Sequence, residues 1–322
     1  MRRTSPVRQT VHPKSAPHKE MASTIVTFFF NIKLFPDATE LVRSKEFYME
    51  KGRVTLGLDA PMIVFCDDSS VDDIKAIRGD KPTEYVVKSI VDYDFFEDHV
   101  DIIRKNRVGI AKYVTSRNTP SYSLLTLFKV YAIYQAFIKN PFKTTHFAWI
   151  DFGGSHIMRD IDKHGPKMLA EPHPKISLCY IHYRSHAELA MTGPFVYGGQ
   201  CGIGAGAFTV EGVYAGRFYH GCMSIFHEML SKGKFHAEEQ VLTCFYDRYP
   251  ELCTLYYGDY YSLVSNYSAV RGDFKCIWMN FIREARNKGR LDLARAAAKT
   301  VLDSVEKGLI KLSDADMANL NI

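Results

Sequence analysis

The sequence predicts an α/β protein: a doubly wound, mostly parallel sheet of Rossmann type with helices on both faces and a helical extension at the C-terminus. Three observations lead there. Short uncharged runs of β-branched and aromatic residues suit strands buried on both faces, and amphipathic segments alternate with them through the first half of the chain. Several of the runs stop abruptly at Asp, Asn or Gly, which is how strands end.

Taken in order, Thr24 to Ile32 (TIVTFFFNI) is the first strand and Glu40 to Lys51 a helix. Pro61 to Cys66 is a second buried run ending at Asp67-Asp68-Ser69-Ser70, whose side chains can cap a helix over Val71 to Arg78. A strand over Tyr85 to Val91 and a helix over Phe95 to Arg107 follow. Leu124 to Lys139 carries Leu124, Leu127, Phe128, Tyr131, Tyr134 and Ile138 at helical spacing and ends at Asn140-Pro141. His146 to Ile150 and Ile176 to His182 are further strands. The second half is less regular: a glycine-rich stretch over Phe195 to Phe208, helices over Arg217 to Ser231 and Ala237 to Tyr249, an aromatic run over Tyr256 to Tyr261, and an alanine-rich helix over Leu291 to Lys307.

Composition sets bounds on this. The 322 residues are 46% hydrophobic, 24% charged and 13% aromatic, which excludes disorder for the bulk of the chain. The net charge of +5 is concentrated in the first 20 residues, where Arg2, Arg3, Arg8, Lys14 and Lys19 face only Glu20. A body near neutrality has no field to steer a polyanion, so nucleic acid is not an expected partner. Seven scattered cysteines without C-x-x-C spacing argue against a disulfide framework or a zinc ribbon and point to a reducing compartment. No segment approaches the ~18 to 20 apolar residues of a membrane span. The expectation is a cytoplasmic protein, with peripheral membrane contact its only membrane option. It divides into a disordered basic tail (1–21), one α/β domain (22–285) and the helical extension (286–322).

In an open parallel sheet, ligands bind at the carboxyl ends of the strands, so the polar residues that follow buried runs are the first candidates. These are Asn31, Asp67-Asp68 and Asp151. Asp151, after HFAWI and before two glycines, could hold a divalent cation or a ribose hydroxyl; a turn or cap aspartate is the ordinary alternative. Gly202-x-Gly204-x-x-Ala207 satisfies the relaxed dinucleotide fingerprint in form, but strand continues through Phe208-Thr209-Val210 where the fingerprint needs a helix. Glu238 and Glu239 open a helix, where the dipole favours carboxylates, and either could act as a general base. His182 and His186 are four apart but follow a strand, so ordinary histidines are the better reading. Asp259, in an aromatic stretch, is a further carboxylate.

The succession TIVTFFFN (24–31), PMIVF (61–65) with Arg78 downstream, FAWIDFG (147–153), the Gly198-Gly199 loop, Glu238-Glu239-Gln240 and YGDY (257–260) resembles the HtrL/YibB-type family, read as glycosyltransferases, over about residues 22 to 270. The resemblance implies a GT-A-like fold and transfer of a sugar from a nucleotide-diphosphate donor to a hydroxyl of a glycan, lipid-linked saccharide or protein. It sets Thr27 and Asn31 beside the nucleoside, Arg78 and Lys129 near nucleotide or phosphate, and the Gly198-Gly199 loop on the donor. Asp151 becomes the remnant of a D-x-D motif that would hold Mn or Mg, with Gly153 in place of the second aspartate and Asp259 able to compensate. Glu239, then Glu238, is the expected catalytic base. A non-catalytic nucleotide-sugar or glycan-binding relative is the alternative, and an oxidoreductase using NAD through the glycine string a more distant one.

Overall fold

The structure, a computed structural model, describes residues 22–35, 37, 43–106, 119–190, 201–233, 237–271 and 274–320. Seven strands, β1 (Ser23–Phe29), β2 (Met62–Cys66), β3 (Thr83–Val87), β4 (His146–Ile150), β5 (Ile176–Tyr180), β6 (Ile203–Glu211) and β7 (Cys253–Tyr257), form one sheet in the order β3-β2-β1-β4-β6-β5-β7. All pairings are parallel except those of β6, which runs against both β4 and β5. The fold class is therefore the mostly parallel, doubly wound α/β sheet that the sequence predicts.

Period-two alternation along β1 divides the core in two. Val26 and Phe30 face one layer, with the sheet residues Phe65, Trp149 and Phe208 and the helices α4 (Pro120–Lys139), α7 (Gly212–Ser231) and α8 (Glu238–Arg248). Ile25 and Phe29 face the other, with α1 (Lys45–Gly57), α2 (Val71–Arg78) and α5 (Ile161–Ala170). The remaining helices are α3 (Asp94–Asn106), the short α6 (His186–Leu189), α9 (Phe274–Ile277, continued by a π-helical turn Trp278–Ile282 and by Arg283–Asn287), α10 (Leu291–Glu306) and α11 (Asp314–Leu320). Ala294, Ala297, Ala298 and Val301 of α10 join the α4-side core, so the extension packs on the domain rather than standing apart.

Local chemistry explains the boundaries that moved. α1 starts at Lys45, where the Ser44 hydroxyl accepts from the Phe47 N–H at 3.2 Å; the expected start at Glu40 lies outside the described residues. α4 starts at Pro120 for a like reason: Thr119 accepts from the Tyr122 N–H at 3.1 Å and proline fits the first turn. Gly165-Pro166 hides α5 in the sequence, since a buried helix there overrides two breakers. The third strand lies two residues or more before its expected span, and only the first part of the aromatic run over 256–261 is strand.

All seven cysteines are free thiols and five are buried. Among the described residues no helix is long and apolar enough to cross a membrane.

Candidate functional site

The chain leaves β1 toward β2 and β3 on one side and returns to place β4 on the other, so the strand order reverses at the β1/β4 boundary. Side connections diverge there and leave a crevice at the carboxyl ends of the strands. A cleft of about 830 Å³ occupies this position, lined by the end of β1 (Phe28 to Ile32), the end of β4 (Trp149 to Gly153) and the α4 residues Tyr122, Thr126 and Lys129. Arg43, Lys45 and Tyr48 close it from the β1–α1 side. A smaller cleft of about 410 Å³ meets it at Lys129, Asp151, His156 and Glu238, and continues along Gly206, Glu239, Tyr260 and Leu263.

Asp151 forms the floor between the two. Its backbone N–H donates to the Gly206 carbonyl at 2.9 Å, extending the β4–β6 ladder by one step. Its Oδ1 accepts from Trp149 Nε1 at 2.7 Å and from Lys129 Nζ at 3.3 Å. Its Oδ2 accepts from no described residue, and 41% of the side chain is exposed to the cleft. Burial at the floor raises its pKa above the ordinary aspartate value despite Lys129 and Trp149. Gly206 permits this approach: a Cβ there would lie 3.0 Å from Leu263 Cδ1 and 3.5 Å from Asp151 Oδ2.

Because β6 is antiparallel, its start rather than its end lies beside Asp151, which brings Ala205 to the same floor. The Ala205 carbonyl accepts from Lys129 Nζ at 3.2 Å, and the Ala205 N–H donates to Glu239 Oε1 at 3.2 Å. Lys129 completes its bonds with Glu238 Oε1 at 2.9 Å. Burial alone would discharge this lysine, but Asp151 and Glu238 hold its pKa above the ordinary value. Burial likewise opposes charge on Glu238; Lys129, Thr126 and its own N–H outweigh that and lower its pKa. Glu239 has no such cation. Burial, and then the charge of Glu238, push its pKa up to about 7. The Tyr260 hydroxyl donates to Glu239 Oε2 at 2.8 Å, and with that proton committed the Cys201 thiol, 2.9 Å away, is the donor to Tyr260.

The structure thus brings Asn31, Lys129, Asp151, Glu238 and Glu239 together. Asn31 reaches the cleft, although its Oδ1 also accepts from the Lys33 N–H at 3.3 Å. Thr27 is fully buried in mid-strand on the α1 side and does not line the cleft. Arg78, expected near nucleotide or phosphate, is also fully buried: its five N–H donors go to Thr83 Oγ1 and to the carbonyls of Leu56, Leu58, Ala60 and Pro82. It has no proton left for a ligand. Asp67 does not cap α2; it accepts from the Asn31 N–H at 2.7 Å and from Ser69 Oγ at 2.6 Å, tying the ends of β1 and β2 together. Gly198 and Gly199 lie outside the described residues. Gly204 and Gly206 belong to β6 and Gly202 directly precedes it, with no strand–helix turn between them, so the dinucleotide fingerprint is formal only. His186 Nδ1 pairs with Asp247 Oδ2 at 2.8 Å.

The expected Mn or Mg is not matched by these donors. Asp259 does not back up Asp151, because it lines neither cleft; its Oδ1 is held in a turn by the N–H groups of Tyr261 and Ser262 and by the Ser262 hydroxyl, all within 2.9 Å. At 153, where a D-x-D motif has its second carboxylate, a Cβ would lie 2.8 Å from the Tyr48 ring. Among the described residues no three His, Cys, Asp or Glu side chains converge on one point. Arg43, Lys45, Tyr122, His156 and Tyr260 are the site residues that sequence reasoning missed. Arg43 and Lys45 were within reach, since the loop after the first strand of a doubly wound sheet is a favoured anion site.

The site is a cleft at the switch point of a mostly parallel sheet, floored by a strand-end aspartate and bordered by cations and aromatic rings, an arrangement whose chemistry suits a polar, anionic ligand. The profile of a family described as "Bacterial protein of unknown function (HtrL_YibB)" matches residues 21–269, and the chain belongs to that family. Protein HtrL of Escherichia coli (strain K12) is 28% identical over 150 residues, covering 42% of this chain and 52% of that protein, so the chain spans about half the length of the curated relative it matches. Solved structures that align with it include the apo form of mouse xyloside xylosyltransferase 1 (12% identity, 72% of this chain and 83% of the other, TM-score 0.38). Core-mannan synthase A from Aspergillus fumigatus in its Mn/GDP form aligns at 9% identity over 76% and 74% (TM-score 0.48). A glycosyltransferase involved in glycosylation of the major capsid of PBCV-1 aligns at 16% over 74% and 81% (TM-score 0.35). Scores of this size carry no chemistry across, so activity is argued from the site.

Proposed function

We propose that this protein transfers a glycosyl group from a nucleotide-diphosphate sugar in the larger cleft to an acceptor hydroxyl that enters through the smaller one. The observation that carries the reading is the pair of carboxylates on opposite sides of one floor: Asp151, with an open oxygen toward the donor side, and Glu239, whose pKa is near 7, on the other. An open carboxylate oxygen on one side and a carboxyl with a pKa near neutrality on the other suit one group that binds hydroxyls and one that moves a proton. Aromatic walls, Phe28, Tyr48 and Tyr122 among them, offer a nucleobase or sugar ring apolar faces. Arg43 and Lys45 at the rim supply positive charge for the diphosphate.

In the transfer, the bond from the anomeric carbon to the diphosphate oxygen breaks as the acceptor oxygen bonds that carbon. The acceptor proton passes to Glu239, and the nucleoside diphosphate leaves with the electron pair. Asp151 Oδ2 accepts from a donor hydroxyl and sets the sugar across the floor.

Nucleotide release from a panel of UDP-, GDP- and other nucleotide sugars, with and without Mn²⁺, tests this on the wild type and on Asp151→Ala. Slow hydrolysis of one donor that falls at least about 100-fold in the variant supports transfer. A donor that raises the melting temperature but is never hydrolysed indicates a binding protein instead. Neither release nor a thermal shift with any donor sinks the proposal.

A further inference from the structure

Lys129 enters the floor from the middle of α4 and is 3% exposed. Its three ammonium protons go to three acceptors on three different elements: Asp151 Oδ1 at 3.3 Å beyond β4, Glu238 Oε1 at 2.9 Å in the first turn of α8, and the Ala205 carbonyl at 3.2 Å in β6. With every proton spent on the protein, this ammonium has none to offer a phosphate. Its partners are two carboxylates and one carbonyl converging on a single point, which is an all-oxygen donor set of the kind that hard divalent cations take. Two charged carboxylates from separate elements repel, and the ammonium between them offsets that repulsion.

We infer that Lys129 is a tethered counter-cation: it fills the cation position of this floor, fixes Asp151 and Glu238 without a metal, and leaves behind a divalent-cation site when its ammonium is removed. Two further features fit. The Trp149 ring lies 5.5 Å from Nζ and its indole N–H bonds the same Asp151 oxygen, so Oδ1 is shared between two fixed donors and only Oδ2 is presented to the cleft. Tyr48 fills the space over Gly153, where a second carboxylate would otherwise complete a metal site on the donor side. Lys129 is on this account a positioning residue, because it acts through the carboxylates and not on substrate. The inference does not depend on glycosyl transfer: failure of every donor to hydrolyse leaves it standing.

Mn²⁺ alone, titrated into the full chain without nucleotide and followed by the loss of free-Mn²⁺ electron paramagnetic resonance signal and by thermal melting, is the test. The wild type is expected to bind no stoichiometric Mn²⁺ at this site. Lys129→Ala is expected to bind one ion per chain at least about 10-fold more tightly than the wild type, with a rise in melting temperature on Mn²⁺ that the wild type lacks. Adding Asp151→Asn to that variant should remove the gain. If Lys129→Ala does not fold by itself, its folding should become Mn²⁺-dependent, and failure of millimolar Mn²⁺ to restore it overturns the inference. So does a folded Lys129→Ala that binds no more Mn²⁺ than the wild type, or a wild type that binds one Mn²⁺ and loses it on Asp151→Asn.

Discussion

Two buried cations, Arg78 and Lys129, look alike in the sequence and behave oppositely in the fold. Arg78 is bonded by four carbonyls and a hydroxyl and by no carboxylate, and burial lowers its pKa to about 10, outweighing the nearby charge of Asp59. Lys129 is as deeply buried, yet Asp151 and Glu238 more than reverse the effect of burial. The difference separates a scaffold from a site. A guanidinium among carbonyls closes the α1–β2 turn and the approach to β3, because its planar fork satisfies backbone groups that water cannot reach. An ammonium among carboxylates sits at the edge of a cleft and sets the geometry of groups that face a ligand.

The sharpest way to break this comparison is to remove the scaffold cation. Arg78→Met takes the guanidinium from the carbonyls of Leu56, Leu58, Ala60 and Pro82, of which Leu58 and Pro82 keep the N–H groups of Ala60 and Met62, and is expected to cost about 3 kcal/mol in urea unfolding. The folded fraction should bind donor as the wild type does. A large loss of donor affinity with stability unchanged would put Arg78 back in the site.

Glu239 gives the next largest effect and sharpens the other half. Its neighbour Glu238 bonds the lysine; Glu239 is bonded by Tyr260 and a backbone N–H and feels Lys129 only from further off, and its pKa rises to about 7. Glu239→Gln is expected to lower transfer by on the order of 10² to 10⁴. In the wild type, log(kcat/KM) should rise with pH up to about 7 and then level, as the base loses its proton. The stability effect has the opposite sign. A folded pKa above the unfolded value of about 4.5 means that the native state binds more protons between the two, so the favourable contribution is full below pH ~4.5 and is lost as pH climbs through 7. Glu239→Gln should therefore be more stable than the wild type at pH 8, by about 1 to 2 kcal/mol after allowance for cleft water. A variant that is inactive and less stable at that pH would make Glu239 a structural acid.

Much of the scaffold was legible because it rests on local pattern. The buried runs of β1, β2, β4 and β5, the 3.6-residue period of α4, and Asp151 as the carboxylate after HFAWI all follow from alternation and abrupt endings. Glu238 and Glu239 were legible as a first-turn pair, but not their division of labour, which depends on which of them meets Lys129 across more than 100 residues of sequence. Arg78 misled because a helix-end arginine reads the same whether it faces phosphate or carbonyls. Asp259 misled for a similar reason, since a turn that engages one of its oxygens and holds it away from both clefts leaves no mark in composition. The antiparallel course of β6, which carries Ala205 to the floor, follows from tertiary pairing alone.

A third cation tests whether the cleft rim, as distinct from its floor, handles charge. Arg43 lies over the Phe47 ring at 4.7 Å and pairs with no carboxylate among the described residues, whereas Lys45 two positions on is matched by Asp73 at 2.6 Å. An unpaired guanidinium beside an open cleft is the group free to meet a diphosphate, and at an exposed rim such a contact adds affinity without distinguishing ground from transition state. Arg43→Ala should therefore raise KM for the donor about 10-fold, leave kcat within about 2-fold, and weaken the salt dependence of donor binding. Lys45→Ala should do less, since Asp73 already offsets its charge. Equal effects from the two, or a fall in kcat with Arg43→Ala, would mean that the rim takes part in the chemical step and that the line drawn between positioning charges and binding charges runs elsewhere.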